Sequence, residues 1–178
     1  MALEHAILVS LREQSATGYD LARRFDASIG YFWRASHQQI YRTLTRMAGD
    51  GWVEGATEHR DGATDRTTYA ITTAGRAELE RFSATPSPRE PLRSDFAVKL
   101  RGLLDTEAAI ADAQARRADH QARLDTYEAS AKRYYPDPSA LSEDDRGPYL
   151  ALRGGILLEQ AGIAWCDEIL SQLDRSER

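Results

Sequence analysis

Between Ser36 and Ala48 the chain displays Gln38, Gln39, Arg42 and Arg46, with the hydroxyls of Ser36 and Tyr41 beside them and no acidic residue in the stretch. A glutamine amide matches the N6 and N7 edge of adenine, an arginine fork matches guanine O6 and N7 or a phosphate, and a hydroxyl suits phosphate or sugar. The chemistry this set can perform is therefore the reading of a DNA duplex. A second pair, Arg60 and Arg66, flanks an Asp61-Gly62 turn, where two guanidiniums on a hairpin tip suit a minor groove or phosphates. Catalysis has no comparable set. His37 with Asp50 and His120 with Asp119 do not face each other on a helix, and no nucleophile or phosphate loop accompanies them. The single cysteine, Cys166, and four scattered histidines exclude an internal disulfide and a thiolate zinc cluster, so no metal and no cofactor is expected.

The element that positions the first set is a helix. Ile40, Leu44 and Met47 recur at spacings of four and three and form one inward stripe, Ser36 can cap the start, and Gly49 and Gly51 close the end. Upstream, Leu3, Ala6, Ile7 and Leu11 predict one helix ending before Ser15, and Thr17 can cap a second carrying Leu21 and Phe25 on its buried side. Gly30 to Ala35 holds an aromatic cluster read as a loop plugging the domain. Downstream the period changes. Trp52-Val53-Glu54 and Thr67 to Ile71 predict two short strands joined by a long polar tip, and Thr72 or Thr73 caps a further helix through Leu79 and Phe82. Three helices, a two-stranded wing and another helix, in that order, make a winged helix-turn-helix over residues 1–84.

Gly18-Tyr19-Asp20-Leu21, Trp33, the run Ser36 to Leu44, Gly51-Trp52-Val53 and Tyr69 to Gly75 together resemble the N-terminal domain of PadR-type transcriptional regulators. The downstream Arg153-Gly154-Gly155-Ile156 and Ile163-Ala164-Trp165 resemble the Vir-type C-terminal dimerisation domain of that family's longer members. The resemblance implies a dimeric, usually repressing, DNA-binding protein, often responsive to a small aromatic or phenolic effector. Trp33, Tyr134 and Trp165 are the aromatic candidates for such an effector. One departure stands out: where the family often carries a more basic wing tip, this chain reads Gly62-Ala63-Thr64-Asp65-Arg66.

Three of the six prolines fall in Thr85 to Pro91 and mark a linker over 85–91, leaving a second domain over 92–178. There a short helix around Phe96 to Leu104 precedes a long one restarting at Asp105-Thr106 and ending at Pro136; its stripe is interrupted by Arg117 and His120. The last helix is expected to start near Pro148. Tyr149, Leu152, Ile156, Ile163, Cys166, Leu170 and Leu173 continue a seam broken at Glu159, while Leu150, Leu157, Leu158, Ala164, Trp165 and Ile169 widen it. So broad an apolar face predicts burial against a second copy, with Tyr149, Leu152, Ile156, Ile163, Trp165 and Leu170 at the dimer interface.

The formal net charge of −5 argues against indiscriminate DNA binding, yet its distribution is uneven: residues 1–82 hold 10 arginines against 11 acids, and the remainder 13 basic residues against 17 acids. DNA contact is therefore expected from a local patch. Ala6 to Val9, the apolar run near the N-terminus, is too short for a signal-peptide core, which predicts a cytoplasmic protein with no membrane partner. The whole reads as a mainly α homodimer that binds an operator through Ser36, Gln38, Gln39, Tyr41, Arg42, Arg46, Arg60 and Arg66. The competing reading is a winged helix used only for protein contacts, which predicts no retention on DNA at low salt.

Overall fold

A computed structural model describes residues 2–27, 35–59, 66–88 and 93–174. The elements in order are α1 (Ala2–Glu13), β1 (Ala16–Thr17), α2 (Gly18–Ala27), α3 (His37–Gly49), β2 (Val53–Glu58), β3 (Arg66–Ile71), α4 (Thr73–Ala84), α5 (Asp95–Gly102), α6 (Thr106–Tyr134), a 3-10 turn (Pro138–Ala140) and α7 (Glu143–Asp174). The chain divides into two compact units, residues 1–89 and 90–178.

In the first unit the apolar stripes of the helices converge on one core. Ile7, Leu8 and Leu11 of α1, Leu21, Ala22 and Phe25 of α2, and Ile40, Leu44 and Met47 of α3 are buried together with Val53, Ile71 and Leu79. Thr17 caps α2 by accepting the Asp20 N–H at 3.1 Å. Arg24 of α2 donates to the carbonyls of Ser10 and Gln14 and so ties α2 to the end of α1.

The sheet has three strands rather than the expected two. β1 pairs with β3 (Ala16 with Tyr69, Thr17 with Thr68) and β2 with β3 (Val53 with Ile71 through Glu58 with Arg66), all antiparallel, in the order β1-β3-β2. A two-residue strand carries no alternation to read, so only the approach of β3 reveals it. Gly51, at φ +72°, turns the chain out of α3 toward β2. Thr72 is the cap of α4: it accepts the Gly75 N–H and donates to the Gly51 carbonyl at 2.7 Å. Gly75 is required there, since a Cβ would lie 2.1 Å from the Trp52 carbonyl oxygen.

The second unit is a helical hairpin with a short helix against it. Gly155 of α7 faces Tyr127 of α6, and Gly162 faces His120; a Cβ at Gly162 would come within 2.6 Å of that imidazole. Arg117 meets Asp167 and Ala113 lies in a cluster with Ile169, so residue numbers rise on one helix as they fall on the other and the pair is antiparallel. The interruptions seen separately in the two stripes meet here. His120 Nδ1 lies 2.5 Å from Glu159 Oε2, and Arg123 Nε donates to Glu159 Oε1 at 2.9 Å. Burial opposes ionisation of Glu159, but the His120 and Arg123 hydrogen bonds and the Arg123 charge hold its carboxyl below the ordinary range.

One detail of this unit differs from expectation. α7 begins at Glu143, five residues before Pro148, because Ser142 accepts the Asp145 N–H and caps an earlier start. Proline inside the helix then removes one backbone donor without ending it. Cys166 is buried, and burial pushes its thiol up. Among the described residues no helix is long and apolar enough to cross a membrane, and no group of three or more metal-ligating side chains forms.

Candidate nucleic-acid interface

The N-terminus of α3 is fixed by a reciprocal capping box. Ser36 Oγ accepts the Gln39 N–H at 3.2 Å, and Gln39 Oε1 accepts the Ser36 N–H at 2.8 Å, an arrangement worth about 1 kcal/mol of helix stability. Both side chains were read from the sequence as DNA contacts. The structure commits the Ser36 oxygen and the Gln39 carbonyl to the helix itself, leaving the Gln39 amide nitrogen to face outward chemistry.

The buried side of α3 is Ile40, Thr43, Leu44 and Met47, and its exposed side carries Gln38, Gln39, Tyr41, Arg42 and Arg46. Among the described residues Gln38 and Arg42 make no hydrogen bond or ion pair, so their donors are the ones a ligand meets unopposed. Tyr41 is half exposed, with its ring over the start of α2; a Cβ at Gly18 would lie 2.4–2.9 Å from three ring atoms. The glycine thus lets the ring pack on the domain while one edge stays open.

Arg46 has a partner that its own helix does not supply. Glu4, on α1, accepts a hydrogen bond from Arg46 Nη2, and the carboxylate is largely buried while the guanidinium remains half exposed. Burial opposes the charge on Glu4, but hydrogen bonding and the Arg46 charge keep its carboxyl below the usual range. The stretch 36–48 is free of acids in sequence, yet one of its two arginines is neutralised in space.

On the wing, Arg66 begins β3 and reaches Asp20 Oδ2 of α2 at 3.4 Å. The Thr57 and Thr67 hydroxyls pair across the strands at 3.0 Å. Arg60, the other expected wing contact, lies outside the described residues, as does Trp33. Sequence reasoning missed Glu4 and Asp20 as members of this surface, and no local signal could have found them, because each pairs with a residue more than forty positions away.

The expected dimer and effector residues separate in the arm. Leu152 and Ile156 are buried within their own chain, and Tyr149, Ile163 and Leu170 are partly covered there, Tyr149 by Tyr135 at 5.6 Å and Leu170 against the Phe96 cluster. Leu152 and Ile156 are thus covered within the single chain, whereas the rest of the face stays more open. Leu150, Leu157, Leu158 and Trp165 remain exposed, and their spacings of seven, one and seven keep them on one side of α7. Trp165 meets Phe96 edge-on at 5.4 Å, and Arg116 lies 4.4 Å over the same Phe96 ring. Tyr134 is exposed at the far end of α6 with Arg133 over its ring at 5.2 Å. With the hairpin antiparallel, Trp165 sits near the level of residue 117, roughly 25 Å along α6 from Tyr134. The two rings do not share one site within a chain.

A capped helix presenting Gln38 and Arg42, braced by α1 and α2 and flanked by a three-stranded wing, defines a winged helix-turn-helix DNA-binding transcription regulator. Residues 7–81 match the profile of the transcriptional regulator PadR-like family, and residues 92–174 match that of the virulence activator alpha C-terminal domain. This chain belongs to the PadR-like family of transcriptional regulators. It is 50% identical, over 97% of its length and 98% of the relative's, to a Mycobacterium tuberculosis protein named "Probable transcriptional regulator Rv1176c". The structure of the Vibrio cholerae virulence activator AphA superposes with a TM-score of 0.82 at 35% identity, covering 98% of this chain and 99% of that one. Bacillus subtilis PadR, named a negative transcriptional regulator, is 28% identical over 97% of this chain and 98% of its own. Its structure in complex with operator DNA gives a TM-score of 0.83 at 26% identity, covering 97% and 99%, and its complex with p-coumaric acid gives 0.80.

Proposed function

We propose that the protein is a homodimeric, sequence-specific repressor of the cytoplasm that places α3 of each copy in successive major grooves of an operator. The observation that carries this reading is the exposed face of α3, where Gln38 and Arg42 make no hydrogen bond or ion pair among the described residues, on a helix whose apolar side is committed to the core. Gln38 suits adenine, Arg42 guanine, and Tyr41 with the amide of Gln39 suits phosphate or sugar. Arg46, held by Glu4, serves first to bolt α3 to α1. Arg66 and Arg60 belong to the wing contact, and Ser36 acts through the cap.

The dimer is read from the exposed stripe Leu150, Leu157, Leu158 and Trp165 on α7. Two-fold pairing of such arms would set the recognition helices about one duplex turn apart, roughly 34 Å. Repression follows most directly from occupancy, since a dimer seated on an operator blocks polymerase without a further contact, and it accords with the name of the B. subtilis relative. Activation, as in the name of AphA, would need an additional polymerase-facing surface. Release by a small aromatic molecule is the extension supported by the PadR complex with p-coumaric acid, with Trp165 as the arm's exposed ring and a built-in fluorescence reporter.

The test is selection of DNA from a random duplex library by the purified full-length protein, followed by sequencing. An inverted repeat with half-site centres 10–11 base pairs apart, or a multiple of that, is the expected result. No enrichment at 50 mM salt would favour the protein-contact reading and overturn this one.

A further inference from the structure

Asp20 occupies an unusual place for an acid on a DNA-binding surface. It lies in the first turn of α2, directly after β1, and β1 pairs with β3 so that Thr17 is opposite Thr68. Two residues further along β3, on the same face of the strand, is Arg66. This register delivers the guanidinium to the carboxylate, with Nη2 3.4 Å from Oδ2. The other ligand of that carboxylate is the Thr17 hydroxyl, which donates at 2.8 Å. A hydroxyl and a guanidinium converging on one anionic oxygen are the groups that protein surfaces use to hold a DNA phosphate.

We propose that Asp20 is a positioning residue that acts through Arg66, standing in for a phosphate so that the wing arginine adds less to sequence-independent DNA binding. The inference rests on the DNA-binding role already assigned. The Asp20 side chain is 37% exposed and that of Arg66 49%, so the pair is solvent-screened and exchangeable rather than a permanent bolt. The contrast with Glu4 is direct, since that carboxylate is buried and keeps Arg46. The Thr17 hydrogen bonds and the Arg66 charge hold the Asp20 carboxyl below its ordinary range, against a smaller opposing effect of burial, so it is anionic at neutral pH. Glu58 is the register partner of Arg66 in the neighbouring strand, so a second acid shares that face of the sheet. Non-specific affinity is the sum of phosphate contacts, and what matters in a genome is the ratio of operator to non-operator binding. An internal anion that must be displaced trims the non-specific sum by one contact.

The experiment measures binding of the full-length protein to a 40-base-pair duplex of scrambled sequence by fluorescence anisotropy between 50 and 200 mM NaCl. Asp20→Asn keeps a side-chain oxygen able to accept the Thr17 hydroxyl and removes the charge that holds Arg66. The expected result is a steeper salt dependence, by about 0.9 in the slope of log K against log salt, and an affinity about 3- to 10-fold higher at 100 mM. Glu54→Gln, an equal charge removal elsewhere on the wing, should give less than half that gain. In Asp20→Asn/Arg66→Gln the gain over Arg66→Gln alone should vanish. Wild-type affinity and slope in Asp20→Asn, or a gain that survives in the double variant, would overturn the proposal. Absence of binding by wild type even at 20 mM would instead overturn the DNA-binding reading beneath it. Circular dichroism checks the fold, and Asp20→Ser is the second variant if Asp20→Asn fails to fold.

Discussion

Truncating Leu158 to alanine should break the arm's pairing without unfolding the arm. Leu158 is 73% exposed in the single chain and Leu157 55%, on the stripe that also holds Leu150 and Trp165. Full burial of a leucine side chain is worth about 1.5–3 kcal/mol, so covering the exposed part of Leu158 contributes about 1–2 kcal/mol per copy. A two-fold interface uses the residue twice, so Leu158→Ala removes about 2–4 kcal/mol from the dimer, which raises its dissociation constant on the order of 30- to 700-fold. Sedimentation equilibrium across protein concentrations measures this directly. Leu152→Ala is the informative contrast, because Leu152 is 7% exposed and packed within its own chain; it should lower the melting temperature through a cavity cost of about 2–5 kcal/mol. An unchanged dimer constant in Leu158→Ala, with a folded arm, would refute the assignment of this stripe to self-association.

Arg42→Ala should weaken binding to a selected operator by about 1–3 kcal/mol with little change in melting temperature, since Arg42 makes no hydrogen bond or ion pair among the described residues; equal binding across a salt titration would remove it from the interface. A fragment ending at Thr85 keeps the whole first core and should stay folded, sediment as a monomer and lose most operator affinity; dimeric sedimentation would move self-association into the winged domain. Glu78 joins α4 to α1 by accepting from Arg81 and bonding to His5 at 2.9 Å, and the Arg81 and His5 hydrogen bonds pull its carboxyl down to about 2. A depressed carboxyl stabilises the fold above its unfolded value of 4.5 and loses that contribution as pH falls toward 2. Glu78→Gln should therefore melt lower than wild type at pH 7 and converge with it in thermal melts near pH 2; a constant gap throughout would exclude this linkage.

The stripe Ile40, Leu44, Met47 and the Ser36 cap are legible in the linear chain because both are set by spacings within one or two helical turns, whereas Gln39, expected there as a DNA contact, closes a capping box in the structure. The same holds for the Thr17 and Thr72 caps and the proline-rich stretch between the two units. What the sequence could not decide was which of several equivalent neighbours each group meets. Both the Leu152 and Ile156 seam and the Leu157 and Leu158 stripe of α7 are apolar, and only the antiparallel register of α6, with Gly155 under Tyr127 and Gly162 under His120, turns the first inward and leaves the second exposed. Likewise β1 exists only because β3 lies beside it, and the charge around α3 and the wing depends on Glu4 and Asp20, brought to Arg46 and Arg66 by the packing of α1 and α2. Local order follows from short-range periodicity and hydrogen bonding; partner choice between remote residues is made by the tertiary packing that brings them within a few ångströms.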